Sequence, residues 1–431
     1  MKKLFNKIKS NPMLIIFLII MVAFMPTALF SPGESNQKAI VTAVGLDKQG
    51  DEYEISLLTF IPTPNQTYVE TSSVISGKGP TVANAISNAE LTLGKEVGLS
   101  HAKTTVVSEA VLEEDVAKDI DYLSRISSLS ENTVFICTND SAKEFLLAAQ
   151  KLEKDIGLKL EELISYNVRN IYVADTTLEA FYKGYFSMNK ASLLGYLALE
   201  ESEDGKTSGG GGSSSGDSSG GAASPGAGGV ASPSESGGGA GSSGGGGNQK
   251  AKRISNQGDV VLLKNGVLVA KLSEEQLNGI NILNTEAVSQ IITVDNINTG
   301  KYKDASLTFI VRNKRIMTAT KFENGIPIYV ANVVMGMELI EAKEANGIVI
   351  NNYELSEIPE PVEFQIEQKI KREFADTLKL LRSKRTDVIG VREKFEKENR
   401  KNFKKFLDGL DDPDDFLRFI NFELIIRVQS D

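Results

Sequence analysis

The chain has 431 residues, 41% of them hydrophobic, enough apolar side chain for two or three buried cores at about 100 to 200 residues per domain. Its formal net charge of −10 argues against nucleic acid as a partner, because phosphate binding needs a basic surface. One histidine and one cysteine exclude an intrachain disulfide, a histidine-cluster zinc site and any Ser-His-Asp triad that does not use His101.

The N-terminus carries Lys2, Lys3, Lys7 and Lys9, followed by a run from Met13 to Phe30 that holds no charge and is interrupted only by Pro26 and Thr27. Its length sits at the short end of what spans a hydrocarbon core of roughly 30 Å. Four lysines before the run and none just after it predict a cytoplasmic N-terminus, with everything from Ser31 onward extracytoplasmic. Ala28 lacks a small partner two residues earlier, so an uncleaved anchor is favoured over a cleaved signal peptide. A lipoprotein leader is excluded because the single cysteine is Cys137.

Two strands are predicted over Ile40–Asp47 and Glu52–Ile61, joined by a turn containing Gly50. Val82, Ile86, Ala89 and Leu93 then fall at helical spacing, with Thr81 as N-cap and Gly94 near the end. A strand at Thr104–Val107, a helix over Leu112–Leu129, a strand at Val134–Cys137 and helices from Ser141 follow. Ala191–Glu200 ends as a strand. Gly205–Gly247 is almost wholly Gly, Ser and Ala, a composition that cannot offset its ordering entropy by burying apolar surface.

Beyond this tract, Asn265-Gly266 between two apolar runs predicts a tight hairpin, because both positions tolerate positive φ. Ser273 with Gln276 gives a capping box for a helix through Leu283. Four strand-like runs lie between Ile291 and Leu339. Ile366, Ile370, Phe374, Leu378 and Leu381 form one apolar stripe that predicts a helix packed on a sheet. Ile420, Phe422, Leu424, Ile426 and Val428 alternate, and read as a final strand of that sheet.

Known catalytic patterns are met only by accident. Two G-x-S-x-G matches, around Ser214 and Ser243, lie inside the Gly/Ser tract, where no strand or helix can form a nucleophile elbow. Gly205-Lys206-Thr207 lacks the upstream glycine of a phosphate-binding loop, since Glu200 stands there. Asp408–Asp415 does not have the spacing of an EF-hand loop and, with Pro413, reads as a solvated helix stop and restart. His101 reads as a structural turn histidine. No catalytic residue, cofactor or metal is expected.

Three stretches carry a resemblance. Gly45, Leu46, Asp47, His101, Lys103 and Glu109 in the first part of the chain fall on a dispersed pattern of strand, helix and strand. Leu263, Lys264, Leu268, Val269, Leu272, Ser273 and Gly279 carry a second stretch, and Asp387, Ile389, Gly390 and Phe395 a third. In this order they resemble the Ger(x)C proteins, the C subunits of spore germinant receptors. The resemblance implies a non-enzymatic, membrane-tethered, extracytoplasmic subunit that assembles with two polytopic membrane subunits, the A- and B-type, at the spore inner membrane. The alternative is a freestanding extracytoplasmic binding or cell-wall adaptor protein of the same fold; an exported hydrolase is the weakest reading.

The expected fold is α+β, with mixed, largely antiparallel sheets flanked by helices in about three modules after one N-terminal transmembrane helix. The domain map is 1–30 head and anchor, 36–150 N-terminal module, 151–300 middle module interrupted by 205–247, and 301–431 C-terminal module. The Gly/Ser tract is expected to be an insertion within one domain, since loop closure costs only about 0.6 kcal/mol per doubling of length.

Overall fold

The computed structural model describes Met13 and residues 38–61, 71–125, 128–156, 176–201, 252–255, 260–284, 290–299, 302–344 and 358–430. Two units are distinguished, one of 1–199 with 254–431 and one of 200–253. The second is described only at Glu200, Glu201, Lys252 and Arg253. Apart from Met13, the apolar run 13–30 lies outside the described residues, as do the two G-x-S-x-G matches. Among the described residues no helix is long and apolar enough to cross a membrane.

The expected hairpin is present as β1 (Lys38–Gln49) and β2 (Glu52–Ile61), turning at Gly50 with φ +59°. β3 (Thr71–Gly79) pairs antiparallel with β2. Helix α1 (Val82–Leu93) begins at Thr81, whose side chain accepts from the Asn84 amide, and ends at Gly94 with φ +69°. It lies so close on β3 that a Cβ at Gly77 would stand 2.2 Å from the Ala85 oxygen and the Ala89 nitrogen. Gly77 is therefore required for close approach, which a side chain would block.

Next come β4 (Glu96–Gly98) and β5 (Thr104–Ser108). The helix expected over Leu112–Leu129 is divided into a 3-10 turn, Glu109–Glu113, and α2 (Val116–Arg125). Asp115 separates them, its carboxylate accepting from the Ala117 amide at 3.3 Å. A short acidic residue in that position caps a new helix better than it continues an old one. β6 (Val134–Thr138), α3 (Ala142–Ile156), α4 (Leu178–Phe186), β7 (Ala191–Tyr196) and β8 (Ala198–Glu201) follow. After the tract the chain forms β9 (Lys252–Ser255), β10 (Val260–Lys264) and β11 (Val267–Leu272). Asn265 and Gly266 both have positive φ, +54° and +77°, as a primed two-residue turn requires. Ser273 and Gln276 form the expected capping box of α5 (Glu274–Asn281).

All of these strands except β8 and β9 build one sheet in the order β11-β10-β7-β6-β5-β1-β2-β3, with β4 alongside β1. The sheet is mixed, as expected, and antiparallel on both flanks, but its centre is parallel: β1 with β4 and β5, β5 with β6, and β6 with β7 all run the same way. The cause is burial on both faces. Val41, Val44, Leu57, Val107, Phe135, Leu194 and Val261 point to one core, and Ala43, Leu58, Val106, Ile136 and Leu262 to the other. Sheets covered by helices on both sides read as continuous apolar runs and favour parallel crossovers. The expected module boundary near residue 150 falls within α3, and strands from both sides of it pair in this sheet.

A second sheet has the order β12-β13-β14-β15. Three strands, not four, occupy Ile291–Leu339: β12 (Ile291–Thr299), β13 (Tyr302–Glu323) and β14 (Ile326–Glu344). The last two continue through bulges at Thr308/Phe309 and Val311/Asn313, which carry the ladder past interruptions in the apolar alternation. Helix α6 (Glu360–Ser383) buries Ile366, Ile370, Phe374 and Leu378 against this sheet. Short helices α7 (Val391–Glu398) and α8 (Arg400–Leu407) and a 3-10 turn, Pro413–Phe419, lead to β15 (Asn421–Ser430), parallel to β14.

Candidate functional site

The residues that carry the sequence resemblance are mostly joints. Asp47, 4% exposed at the end of β1, accepts from the Ala142 amide at 2.7 Å, the Lys143 amide at 3.0 Å and the Ser141 hydroxyl at 2.9 Å. It thereby closes the N-terminus of α3, where backbone donors lack intrahelical acceptors. Asp387 does the same for α7, accepting from the Val391 amide at 3.1 Å and the Arg392 amide at 2.8 Å. Burial raises the Asp387 carboxyl to about 6, against the pull of those backbone donors. Gly390 enters α7 at φ +77°.

Glu109 accepts from the Tyr196 hydroxyl at 2.8 Å and from Lys271 Nζ at 2.6 Å, and that ammonium also lies 4.6 Å from the Tyr196 ring centroid. Burial, the leading cause, pushes the Tyr196 hydroxyl to about 12. Gly279 permits α5 to cross α6, because a Cβ there would reach Thr377 Oγ1 and the Glu373 oxygen. His101 is exposed in the turn before β5. Cys137 is fully buried, and its thiol is pushed well above the ordinary range by desolvation. The acidic run is tied down by cations: Arg385 pairs with Asp412 at 2.8 Å and Asp415 at 2.9 Å, and Lys264 with Asp414 at 3.0 Å.

Two concave surfaces stand out among the described residues. The larger, about 880 Å³, is an open groove between α2 and α4. Tyr182 and Phe186 stack along it with centroids 5.9 Å apart, Tyr185 meets Phe186 edge-on at 5.0 Å, and Phe186 is 76% exposed. Its charges are mixed: Lys118, Arg125 and Lys183 against Asp121, Glu131 and Glu179.

The smaller, about 340 Å³, is polar and lies between the α4–β7 turn, the β10–β11 turn and the α6–α7 junction. Lys190, Lys264, Arg385 and Arg392 line it together with Asn189, Asp387 and Asp414. The Asn265 amide donates to the Lys190 carbonyl at 2.8 Å, and Lys264 Nζ donates to the Arg385 carbonyl at 2.9 Å, so one backbone bond and one side-chain bond draw its walls together. Lys190 and Arg385 have φ of +49° and +52°, conformations that L side chains rarely adopt. Reading the sequence by motif misses these residues. One signal was present: α6 stops at Ser-Lys-Arg-Thr with neither Gly nor Asn to take the left-handed position.

Two family models match. Residues 33–199 match the spore germination protein N-terminal domain, and residues 258–413 match the spore germination B3/GerAC-like C-terminal domain. The putative spore germination protein YfkR of Bacillus subtilis (strain 168) is 20% identical over 179 residues, covering 39% of this chain and 44% of that protein, so less than half the relative's length is spanned. The crystal structure of the GerBC protein aligns with 89% of this chain and 96% of its own at a TM-score of 0.46 and 12% identity. Over residues 33–199 and 258–413, on both sides of the Gly/Ser tract, the chain belongs to the Ger(x)C family of spore germination proteins.

Proposed function

We propose that the chain is the membrane-tethered, extracytoplasmic C subunit of a spore germinant-receptor-like complex and that it works by protein contact without catalysis. The carrying observation is the family match on both sides of the tract. The lysine head and the apolar run 13–30 support a single-pass anchor with the remainder outside, at the spore inner membrane if the family role holds. The aromatic groove beside Phe186 supports contact, since an exposed stacked aromatic cluster is the kind of surface that interfaces cover. Its partners are then the polytopic A- and B-type subunits. We further infer that 205–247 is an insertion in one domain, because β7 before it and β10 after it pair antiparallel.

A tagged full-length copy, expressed from its own locus and extracted from membranes with mild detergent, tests this reading. Two polytopic membrane proteins are expected in the purified complex by mass spectrometry, together with the N-terminal peptide. A chain recovered alone would favour the adaptor reading, and a mature N-terminus between Ala28 and Glu34 would remove the anchor.

A further inference from the structure

We propose that β15 is a self-association edge, on which a second copy of this chain pairs antiparallel through its own β15 about a two-fold axis at Ile425. β15 ends the second sheet, and among the described residues no strand lies on its outer side. It pairs with β14 from Asn421 to Ser430 without a shift of register, whereas β12 at the opposite edge shifts twice, at Val294/Ile297 and Ile297/Thr299. Bulges, lysines and prolines are the common protection of a free edge, and β15 holds none of them. A long unbulged edge offers a row of backbone donors and acceptors that another extended strand satisfies.

The order of its side chains says which strand. Counted outward from Ile425, Leu424 matches Ile426, Glu423 matches Arg427, Phe422 matches Val428 and Asn421 matches Gln429. In an antiparallel pair with its axis through Ile425 these residues stand directly opposite one another, so apolar meets apolar, amide meets amide, and each acid meets an arginine. A parallel copy in register would instead set Glu423 on Glu423 and Arg427 on Arg427, which like charges oppose. Arg427 is exposed and has no ion pair among the described residues. Lys321 holds Oε2 of Glu423 at 3.1 Å, which leaves Oε1 for Arg427 of the second copy.

The same register keeps the two faces of the sheet together. Phe422, Leu424, Ile426 and Val428 lie on the α6 side, and the odd-numbered residues of β15 lie on the open side. Opposed residues are odd with odd and even with even, so the open face of one copy continues into that of the other, as an isologous contact requires. On that face Ile425, 45% exposed, stands in one cross-strand row with Asn332 and with Met317, 58% exposed. Pairing doubles this row across the axis and brings the two Ile425 side chains against each other.

The test is oxidative cross-linking of the full-length chain in detergent together with sedimentation, and its outcome is independent of whether receptor subunits co-purify. Cys137 is fully buried, so a cysteine placed on β15 is the reactive one. Ile425→Cys sets two thiols on the axis and should cross-link the chain to itself at least about tenfold faster than Asn421→Cys, whose two thiols would be separated by the span from Asn421 to Gln429, about 26 Å at about 3.3 Å per residue. By sedimentation the parent chain should form a dimer with a Kd of about 10 μM or tighter. Arg427→Glu should weaken it at least about tenfold, and adding Glu423→Arg to that variant should restore it to within about threefold, a recovery that damage to the fold would not give. A monomer at about 100 μM, a dimer indifferent to Arg427→Glu, no recovery on charge exchange, equal cross-linking rates for the two cysteine variants, or cross-linking of Ile425→Cys to a different protein in place of a second copy would each overturn the assignment.

Discussion

Asp47 and Asp387 perform the same task on two helices in different surroundings. Asp47 takes two amides and a hydroxyl at the start of α3, inside the large sheet's own layer. Asp387 takes two amides at the start of α7, near Arg392 Nε and Asn189 Oδ1, which are buried without a partner among the described residues, and near two residues held left-handed. A joint that only supports the fold has its polar groups satisfied. The second joint does not, and that difference separates scaffold from candidate site even though both aspartates belong to the family's pattern.

Both joints lie in the one compact unit formed by 1–199 and 254–431, and separating the halves is the most severe way to break the comparison. β7 and β10 lie side by side with their full registers paired, and each feeds both faces of the core. Expressing 37–203 and 250–431 separately strips a central pairing from each fragment and should leave at least one of them aggregated. Replacing 205–247 by a short turn should leave a cooperative thermal transition. Two soluble halves, each melting cooperatively, would make the tract a linker between domains.

Substitution at the two caps has the next largest effect. Asp47→Ala removes three hydrogen bonds to a buried carboxylate and should cost about 3 kcal/mol in urea unfolding. Asp387→Ala should cost less, about 1 to 2 kcal/mol at pH 7, because burial has already raised that carboxyl to about 6 and its removal relieves a desolvated charge. Equal losses would mean that the two joints are energetically alike.

Glu373 sharpens the contrast as a buried acid with no capping role. It faces the α5–α6 crossing, and desolvation, assisted by Glu274 and Glu275 and opposed by Lys369 and Arg372, raises it to about 7 from an ordinary value of 4.5. The folded-state value is the higher one, so its contribution is fully present below the unfolded value and is lost as pH rises through about 7. Glu373→Gln should therefore stabilise by about 2 kcal/mol at pH 8 and by almost nothing at pH 4. Denaturation midpoints at the two pH values give the comparison, and a pH-independent difference would contradict the burial argument.

Local signals were legible in the sequence where the chemistry is local. Asn265-Gly266, the Ser273/Gln276 box, Thr81 with Gly94 and the stripe from Ile366 to Leu381 each act within a few residues of themselves, and each stands where its pattern requires. The parallel centre of the large sheet was not legible, because β6 meets β7 across a long stretch of chain and buried strands carry no alternation to betray their direction. The cleft was hidden for a related reason. Lys190, Arg385 and Arg392 look like ordinary surface cations in sequence, and only the fold brings them to one place.

Arg385 offers the smallest effect and the most direct reading of backbone cost at the second joint. Its φ of +52° follows the end of α6, where a side chain costs about 1 kcal/mol relative to glycine. Its ion pairs with Asp412 and Asp415 are half-exposed at the arginine, and such pairs contribute about 0 to 1 kcal/mol each. Arg385→Gly and Arg385→Ala both remove the guanidinium, but only glycine removes the strain. The two variants should thus differ by about 1 kcal/mol in urea unfolding, with glycine the more stable and within about 1 kcal/mol of the parent. If alanine equals glycine, the left-handed position carries no backbone cost.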